Sequence, residues 1–408
     1  MQFLLRTYVE RMRDTAVDSH GDGLQGKRIL LGVTGGIAAV DSVKVARELR
    51  RHGASVTVVM THSAQKIVTP LALSWASSSE VISDWDGEMI QLDDFDAALV
   101  CPATRHHLAG LVQGMMDTPL LMALSAARGR KVPIMLVPSM HEDLAADPIT
   151  KELEEELNRF GMLLHWGPVI EGKKKQDDPV SIVAAFSHLV NSQLPDRRSV
   201  VITLGATRSS IDDVRYIQNT SSGATGWHIA EELHRAGHDV TVVAGAHTAT
   251  PSFKLPLVID ALEPQTMLKE LKALANDSID GWIHCAAVLD YLVETPIEGK
   301  FGSMQGNWEV TLNEGSKHIE ELKDMCIGSV RIGFKLETGV RMADLVHRAS
   351  AQIENAGMTA VVANRLEDIG NREKPRAHMV DARGEHWALD DMLALVKAVR
   401  ILIERGVQ

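Results

Sequence analysis

Residues 205–226 read GATRSSIDDVRYIQNTSSGATG and set an Arg, an Asn and a Ser-Ser-Gly turn between an apolar strand and an amphipathic helix. A strand-loop-helix unit of this composition suits the binding of a phosphate. Gly223 and Gly226 let the backbone approach a ligand and leave free N–H groups at a helix start, where the helix dipole favours an anion. Arg215 adds a planar fork matched to bidentate phosphate contact. By spacing alone, the same Ser/Gly-rich stretch also reads as a loop that only turns the chain.

The elements that must position these residues follow from hydrophobic period. Residues 200–203 form a β-branched strand, and residues 227–235 a helix with Ile229, Ala230 and Leu233 at core-facing spacing. Near residue 28 the chain reads RILLGVTGGIAAVDSVKVARELRRHGASVTVVM, again a strand, a Gly-rich turn, a helix and a strand. Both blocks end alike, in RRHGASVTVVM and HRAGHDVTVVAG. Two such starts predict an α/β protein of two Rossmann-like open parallel sheets with helices on both faces and ligands at the carboxyl ends of the strands. FDAALVCPAT and KVPIMLVPSM supply further strands of the first half, and GWIHCAAVLDY, VRIGFKLETG and MTAVVANR of the second. WALDDMLALVKAVRILIERG is apolar at helical spacing and predicts a closing helix packed on the sheet. The polar, Pro-containing stretch VNSQLPDRR marks a boundary, giving domains at 27–190 and 198–408 behind an N-terminal helical extension, 1–26, with Phe3, Leu4, Tyr8 and Met12 roughly on one face.

A net charge of -12 removes the basic field that gathers nucleic acid, so anionic ligands need local cationic pockets. Cys101, Cys285 and Cys326 have neither disulfide-framework nor CxxC spacing, which fits a reducing compartment, and the reading is cytoplasmic. The apolar runs are too short to span a bilayer, and the N-terminus is charged too early for a secretory signal. No membrane partner is expected.

VRYIQNTSSG, CAAVLDY, Lys300 in EGKFGS, GFKLETG and VVANR, taken in order, resemble phosphopantothenate-cysteine ligase of coenzyme A biosynthesis, with the ten-residue step from Asp290 to Lys300 matching that family's spacing. The first half resembles the flavin-dependent phosphopantothenoylcysteine decarboxylase often fused to it, through TGGIAAVDS, PAT at 102–104 and PSM at 138–140. The resemblance implies activation of the phosphopantothenate carboxylate by a nucleoside triphosphate with Mg²⁺, giving an acyl-nucleotide that the amine of cysteine opens. It implies Asn219 and Lys300 as catalytic residues. It gives Ser221, Ser222, Gly223, Ala286, Ala287, Asp290 and Phe334 to the nucleotide and substrate pocket, and Arg215 to a substrate phosphate held by a neighbouring protomer. A homodimer through the ligase domain is implied, with a larger homo-oligomer as the alternative. Metal ligands are not identified.

Departures from the family pattern are informative. CTP-using ligases carry two lysines on the helix after the GF motif, whereas HRASAQIENAG offers Arg348 and, where the second lysine falls, Gln352. KLET after Gly333 resembles the ATP-using eukaryotic form, whereas IDDVRYIQNTSSG resembles bacterial or archaeal forms; CTP is favoured, with ATP as the alternative. Ser316, Lys317, His318 and Ile319 replace the usual NPDI, and the added charge of Lys317 contacts phosphate or is solvated. The decarboxylases use a His before the PAT strand, an Asn in the P-x-M-N turn and a Cys on a flap. Here these positions hold Met89 (Glu88 in an ungapped alignment), His141 and the cysteine-free GPVIEGKKKQDDP. A thioether cannot shuttle a proton. The expectation is therefore an active ligase with a decarboxylase-like half that does not decarboxylate; a bifunctional enzyme and a non-catalytic binding or regulatory subunit are the alternatives. Flavin binding is separate, and the resemblance implies an FMN site at Thr34, Gly35, Gly36 and Thr104.

Overall fold

Four helices of the first half announce their own starts. Thr69, Thr118, Asp147 and Asp178 each accept a backbone N–H of the first turn and each is followed by Pro, whose fixed φ suits the first helical position. The computed structural model describes residues 17–85, 89–170, 173–275, 278–303 and 306–407. The expected helix carrying Phe3, Leu4, Tyr8 and Met12 lies outside them, as does Glu88. The chain divides into two units, the first running to Gln193 and including Arg235–Gly237, the second made of Leu194–His234 and the residues from His238 on.

The first unit holds strands β1 Arg28–Val33, β2 Ser55–Met60, β3 Val81–Ile82, β4 Ala97–Ala103, β5 Ile134–Pro138 and β6 Leu163–Leu164. Their order is β3-β2-β1-β4-β5-β6, parallel throughout. Every residue of β4 is buried, as a strand covered on both faces requires. Val45, Leu49, Leu73 and Phe186 pack one face, and Leu108, Leu121 and Leu157 the other.

The second unit holds β7 Ser199–Leu204, β8 Asp239–Ala244, β9 Leu257–Asp260, β10 Gly281–His284, β11 Val330–Glu337, β12 Ala360–Arg365, β13 Ala377–Asp381 and β14 His386–Leu389. The order is β9-β8-β7-β10-β11-β12-β13-β14. The first six strands are parallel and the last two are joined antiparallel. In both units the winding reverses beside the first strand, so the loops leaving β1 with β4 and β7 with β10 open a crevice at the switch point. The predicted closing helix is shorter than expected: residues 387–389 belong to β14, and the helix Met392–Arg405 starts where Asp391 caps Ala394. Among the described residues no helix is long and apolar enough to cross a membrane.

Candidate functional site

The loops at the second unit's switch point are laced together by backbone. Ala206 and Ala246 exchange hydrogen bonds of 2.8 and 2.7 Å, Thr207 N donates to the Ala287 carbonyl at 3.1 Å, and Ala287 N donates to that of Gly205 at 2.8 Å. A Cβ at Gly205 (φ +77°) would stand 2.7 Å from the Ala246 oxygen, so this closeness requires glycine. Asn219 reaches the same lacing: its Nδ2 donates to the carbonyls of Ala287 at 3.3 Å and Val288 at 3.1 Å. Ser221 and Ser222 turn the chain into the helix Ala224–Arg235 by accepting the N–H groups of Gly223 and Ala224, with Gly223 at φ +78°.

A cavity of about 400 Å³ opens between the loop after β10, the segment 316–320, β11 and the helix Met342–Ala356. It gathers Ala286, Asp290, Lys317, Ile319, Phe334 and Arg348, six of the residues expected there. Its size suits a small organic ligand. Arg348 forms an ion pair with Glu337, which Lys335 also approaches at 3.3 Å. Gln352, at the second lysine position, faces the β11 backbone so closely that a Cβ at Gly333 would meet its Nε2 at 2.5 Å.

Two lining residues carry a signal that the sequence does not give by itself: His284, at the end of β10, reads as core, and His318 opens the short helix His318–Glu321. His284 and His318 are 7% and 5% exposed, and each keeps one buried ring nitrogen, Nε2 and Nδ1 respectively, without a hydrogen-bond partner. Burial, helped by the charges of Arg331 and His318, pushes the His284 imidazole down to about 3. Burial likewise pushes His318 down to about 4 against the upward pull of Glu321 and of a hydrogen bond to the Pro264 carbonyl. Both rings are neutral near neutral pH.

Lys300 and Arg215 lie apart from this cavity. Tyr291–Val293 and Leu312–Glu314 form a hairpin whose connecting segment carries Lys300, exposed, and packs on the turn before Tyr216–Gln218. Ile297 N donates to the Ile211 carbonyl at 2.9 Å and Asp213 N to that of Gly299 at 3.1 Å. Arg215 donates to the Phe301 carbonyl through both terminal nitrogens, at 3.3 and 3.4 Å, and sits 5.0 Å over the Trp308 ring, which stacks on Phe301. Asp212 joins the two segments, accepting from Arg215 and, at 3.1 Å, from Phe301 N. Burial pushes its carboxyl up, but the N–H groups of Val214, Phe301 and Arg215 and the guanidinium charge hold it below the ordinary range. Within one chain, then, neither Lys300 nor Asn219 lines the cavity; Asn219 is fastened to the lining residue Val288 and Lys300 stands on the separate arm.

In the first unit Thr34 is fully buried and ties two loops: its Oγ1 donates to the Pro102 carbonyl at 2.8 Å and accepts from Thr104 N at 2.9 Å. A Cβ at Gly35 would lie 2.3 Å from Ser63 Oγ. Next to this knot, Ile37, Ala38, Asp41, Ser139, His141 and Gln176 line a cavity of about 580 Å³. The segment expected as a flap pairs through Lys173 and Lys174 with His141 and Met140. Cys101 is wholly buried and its thiol is pushed far up by burial, so it offers no thiolate. Met89 takes a left-handed backbone, φ 53°, before the turn Ile90–Leu92. Among the described residues no group of three or more His, Cys, Asp or Glu side chains is arranged to hold a metal ion.

Two doubly wound sheets, each with a cavity beside its switch point, define the Rossmann-like class of ligand-binding α/β proteins. Residues 196–404 match the DNA/pantothenate metabolism flavoprotein C-terminal domain and residues 17–191 match the Flavoprotein family. The coenzyme A biosynthesis bifunctional protein CoaBC of Thermococcus kodakarensis is 36% identical over 86% of this chain and 88% of that protein. Its namesake from Methanocaldococcus jannaschii is 31% identical over 84% of each. Among solved structures, the DNA/pantothenate metabolism flavoprotein from Streptococcus pneumoniae is 22% identical, covering 51% of this chain and 99% of that one at a TM-score of 0.47. The chain belongs to the phosphopantothenoylcysteine decarboxylase and phosphopantothenate-cysteine ligase family of coenzyme A biosynthesis enzymes.

Proposed function

We propose that the second unit is a phosphopantothenate-cysteine ligase. The carboxylate of phosphopantothenate attacks the α-phosphorus of CTP, or of ATP, pyrophosphate leaves, and the amine of cysteine then displaces the nucleoside monophosphate. The observation that carries this reading is the single cavity gathering Ala286, Asp290, Lys317, Ile319, Phe334 and Arg348 from four separate segments. In this reading Asn219 steadies the acyl intermediate beside Val288, and Lys300 meets the polyphosphate. Because Arg215 is bonded to the residue after Lys300, an Arg215 that reaches a neighbouring protomer's substrate carries Lys300 with it. A homodimer whose arms complete each other's cavities follows. Mg²⁺ enters with the nucleotide phosphates, since it is ordinarily held by substrate oxygens and one or two carboxylates.

A second reading adds flavin-dependent decarboxylation of phosphopantothenoylcysteine by the first unit, and the relatives favour it over the single-activity reading: those matched across both halves are named bifunctional. The knot of Thr34, Gly35, Gly36 and Thr104 with its adjoining cavity fits an FMN, which would supply a two-electron acceptor. His141 on the cavity wall is a candidate for moving a proton there. The deciding experiment incubates purified protein with phosphopantothenate, cysteine, Mg²⁺ and CTP or ATP. Phosphopantothenoylcysteine and pyrophosphate in equal amounts support the ligase, and no product with either nucleotide overturns it. Carbon dioxide release from phosphopantothenoylcysteine, with flavin absorption in the purified protein, supports the second reading; neither signal overturns it.

A further inference from the structure

Strand β11 and the helix Met342–Ala356 cross in a fixed register. Residues two apart on a strand share a face about 6.6 Å apart, and residues four apart on a helix share one about 6 Å apart, so the two periods keep step. Arg331 donates to the Ala356 carbonyl, Gly333 faces Gln352 and Glu337 pairs with Arg348. Contacts thus climb the strand from 331 to 337 while they descend the helix from 356 to 348. The last of them falls at the cavity, which Arg348 lines and Glu337 does not.

Glu337 engages two cations at once. Its Oε2 accepts from Arg348, and its Oε1 lies 3.3 Å from the Nζ of Lys335, which shares its face of the strand. The Glu337 side chain is 15% exposed, against 51% for Arg348 and 37% for Lys335. Both cations line the cavity. The lining also holds Lys317 and, of opposite sign, Asp290 and Glu320, so the wall has no large excess of positive charge with which to draw in an anion from a distance. What it offers is donors in fixed places. A guanidinium has five N–H groups and an ammonium three, so one given to Glu337 leaves others for a ligand. Immobilising a long side chain loses rotamer freedom, and the ion pair removes that freedom before a ligand arrives.

We propose that Glu337 is a positioning residue of the ligase site, holding Arg348 and Lys335 in the poses that receive the phosphates of the nucleotide. The inference rests on the nucleotide-binding reading of this cavity. It makes an acidic side chain favour the binding of an anion, against the sign of its own charge. A counter-charge that the phosphates had to displace would act in the opposite sense, and its loss would tighten binding. Loss of a residue that holds the two cations weakens it.

Calorimetric titration of the full chain with CTP and with ATP, each with Mg²⁺, tests the sign. In Glu337→Gln, which keeps the shape and loses the charge, Kd of the preferred nucleotide is expected to rise by at least about threefold. In an Arg348→Met background the same substitution should cause no more than about half of that rise, since Lys335 alone is left to hold. Unchanged or tighter binding in Glu337→Gln overturns the proposal, as does an equal rise in both backgrounds, which a merely structural role would give. Should Glu337→Gln fail to fold, Glu337→Asp takes its place: it keeps the charge but withdraws it by one methylene, so weaker binding supports the positioning role and wild-type affinity overturns it. If wild-type protein binds neither nucleotide, the nucleotide-binding reading is what fails, and this proposal falls with it; wild-type binding with any of the contrary results overturns the proposal alone.

Discussion

Arg215 donates both of its terminal nitrogens to the carbonyl of Phe301, the residue that follows Lys300. A side chain expected on a substrate phosphate thus also holds the segment that carries the expected catalytic lysine. Arg215→Ala is predicted to speed amide exchange at Phe301, whose N–H is held by Asp212, and to lower ligation by at least about tenfold through misplacement of the arm. Arg215→Lys keeps the charge but loses the fork, and should restore little. Wild-type exchange at Phe301 in Arg215→Ala would contradict the assigned positioning role.

Lys300 is exposed and no interaction with it is needed for the core. Lys300→Ala should therefore shift stability by no more than about 0.5 kcal/mol in urea titration. Ligation should fall on the order of a hundredfold or more, the usual loss for a group that stabilises transition-state charge. Retained turnover would remove Lys300 from the chemistry.

The helix after the Ser-Ser-Gly turn comes close to β7 because residue 226 has no side chain. A Cβ there would lie 2.4 Å from Leu204 Cβ. Gly226→Ala is predicted to destabilise the second unit by about 1–3 kcal/mol, read from the urea midpoint, as overpacking does. An unchanged midpoint would mean that the helix shifts freely.

The pH dependence has a definite sign. His284 and His318 are pushed down to about 3 and about 4, while in the unfolded chain they sit near the ordinary value of 6.5. Between those values the unfolded chain binds more protons, so stability is constant above about pH 6.5 and declines as pH falls below it. In the first unit Glu48, where burial raises the carboxyl but His52 and Arg51 hold it down to about 2, adds a second loss as pH drops below its ordinary 4.5. Urea midpoints at pH 8, 6 and 5 should be equal, then slightly lower, then clearly lower. A flat series down to pH 5 would contradict the burial of neutral imidazoles.

Much of the frame was legible because it rests on local pattern. The apolar runs that become β1, β2, β7 and β8 and the glycines between strand and helix are read from adjacent residues, and the helix caps at Thr69, Thr118, Asp147 and Asp178 carry a local signature of the same kind. The edge strand β14 was missed, since Trp387 and Leu389 continue the period of the helix that follows and only pairing with β13 decides between them. Six cavity residues were legible through their motifs, because each motif sits at the carboxyl end of a strand or on the helix facing it. The placement of Lys300 was not: it depends on Asp212 and Arg215 capturing Phe301 across 89 and 86 residues, a contact without local period. His284 and His318 became visible only when folding left a nitrogen of each buried and unpaired.

The central claim is that a nucleotide activates the phosphopantothenate carboxylate in the second unit. Phosphopantothenate labelled with ¹⁸O in its carboxylate, incubated with the protein, Mg²⁺, cysteine and the preferred nucleotide, tests it most directly by mass spectrometry of the released nucleoside monophosphate. The prediction is one labelled oxygen per monophosphate formed, in step with phosphopantothenoylcysteine. Product formed with unlabelled monophosphate, or with the label in released inorganic phosphate, would contradict it.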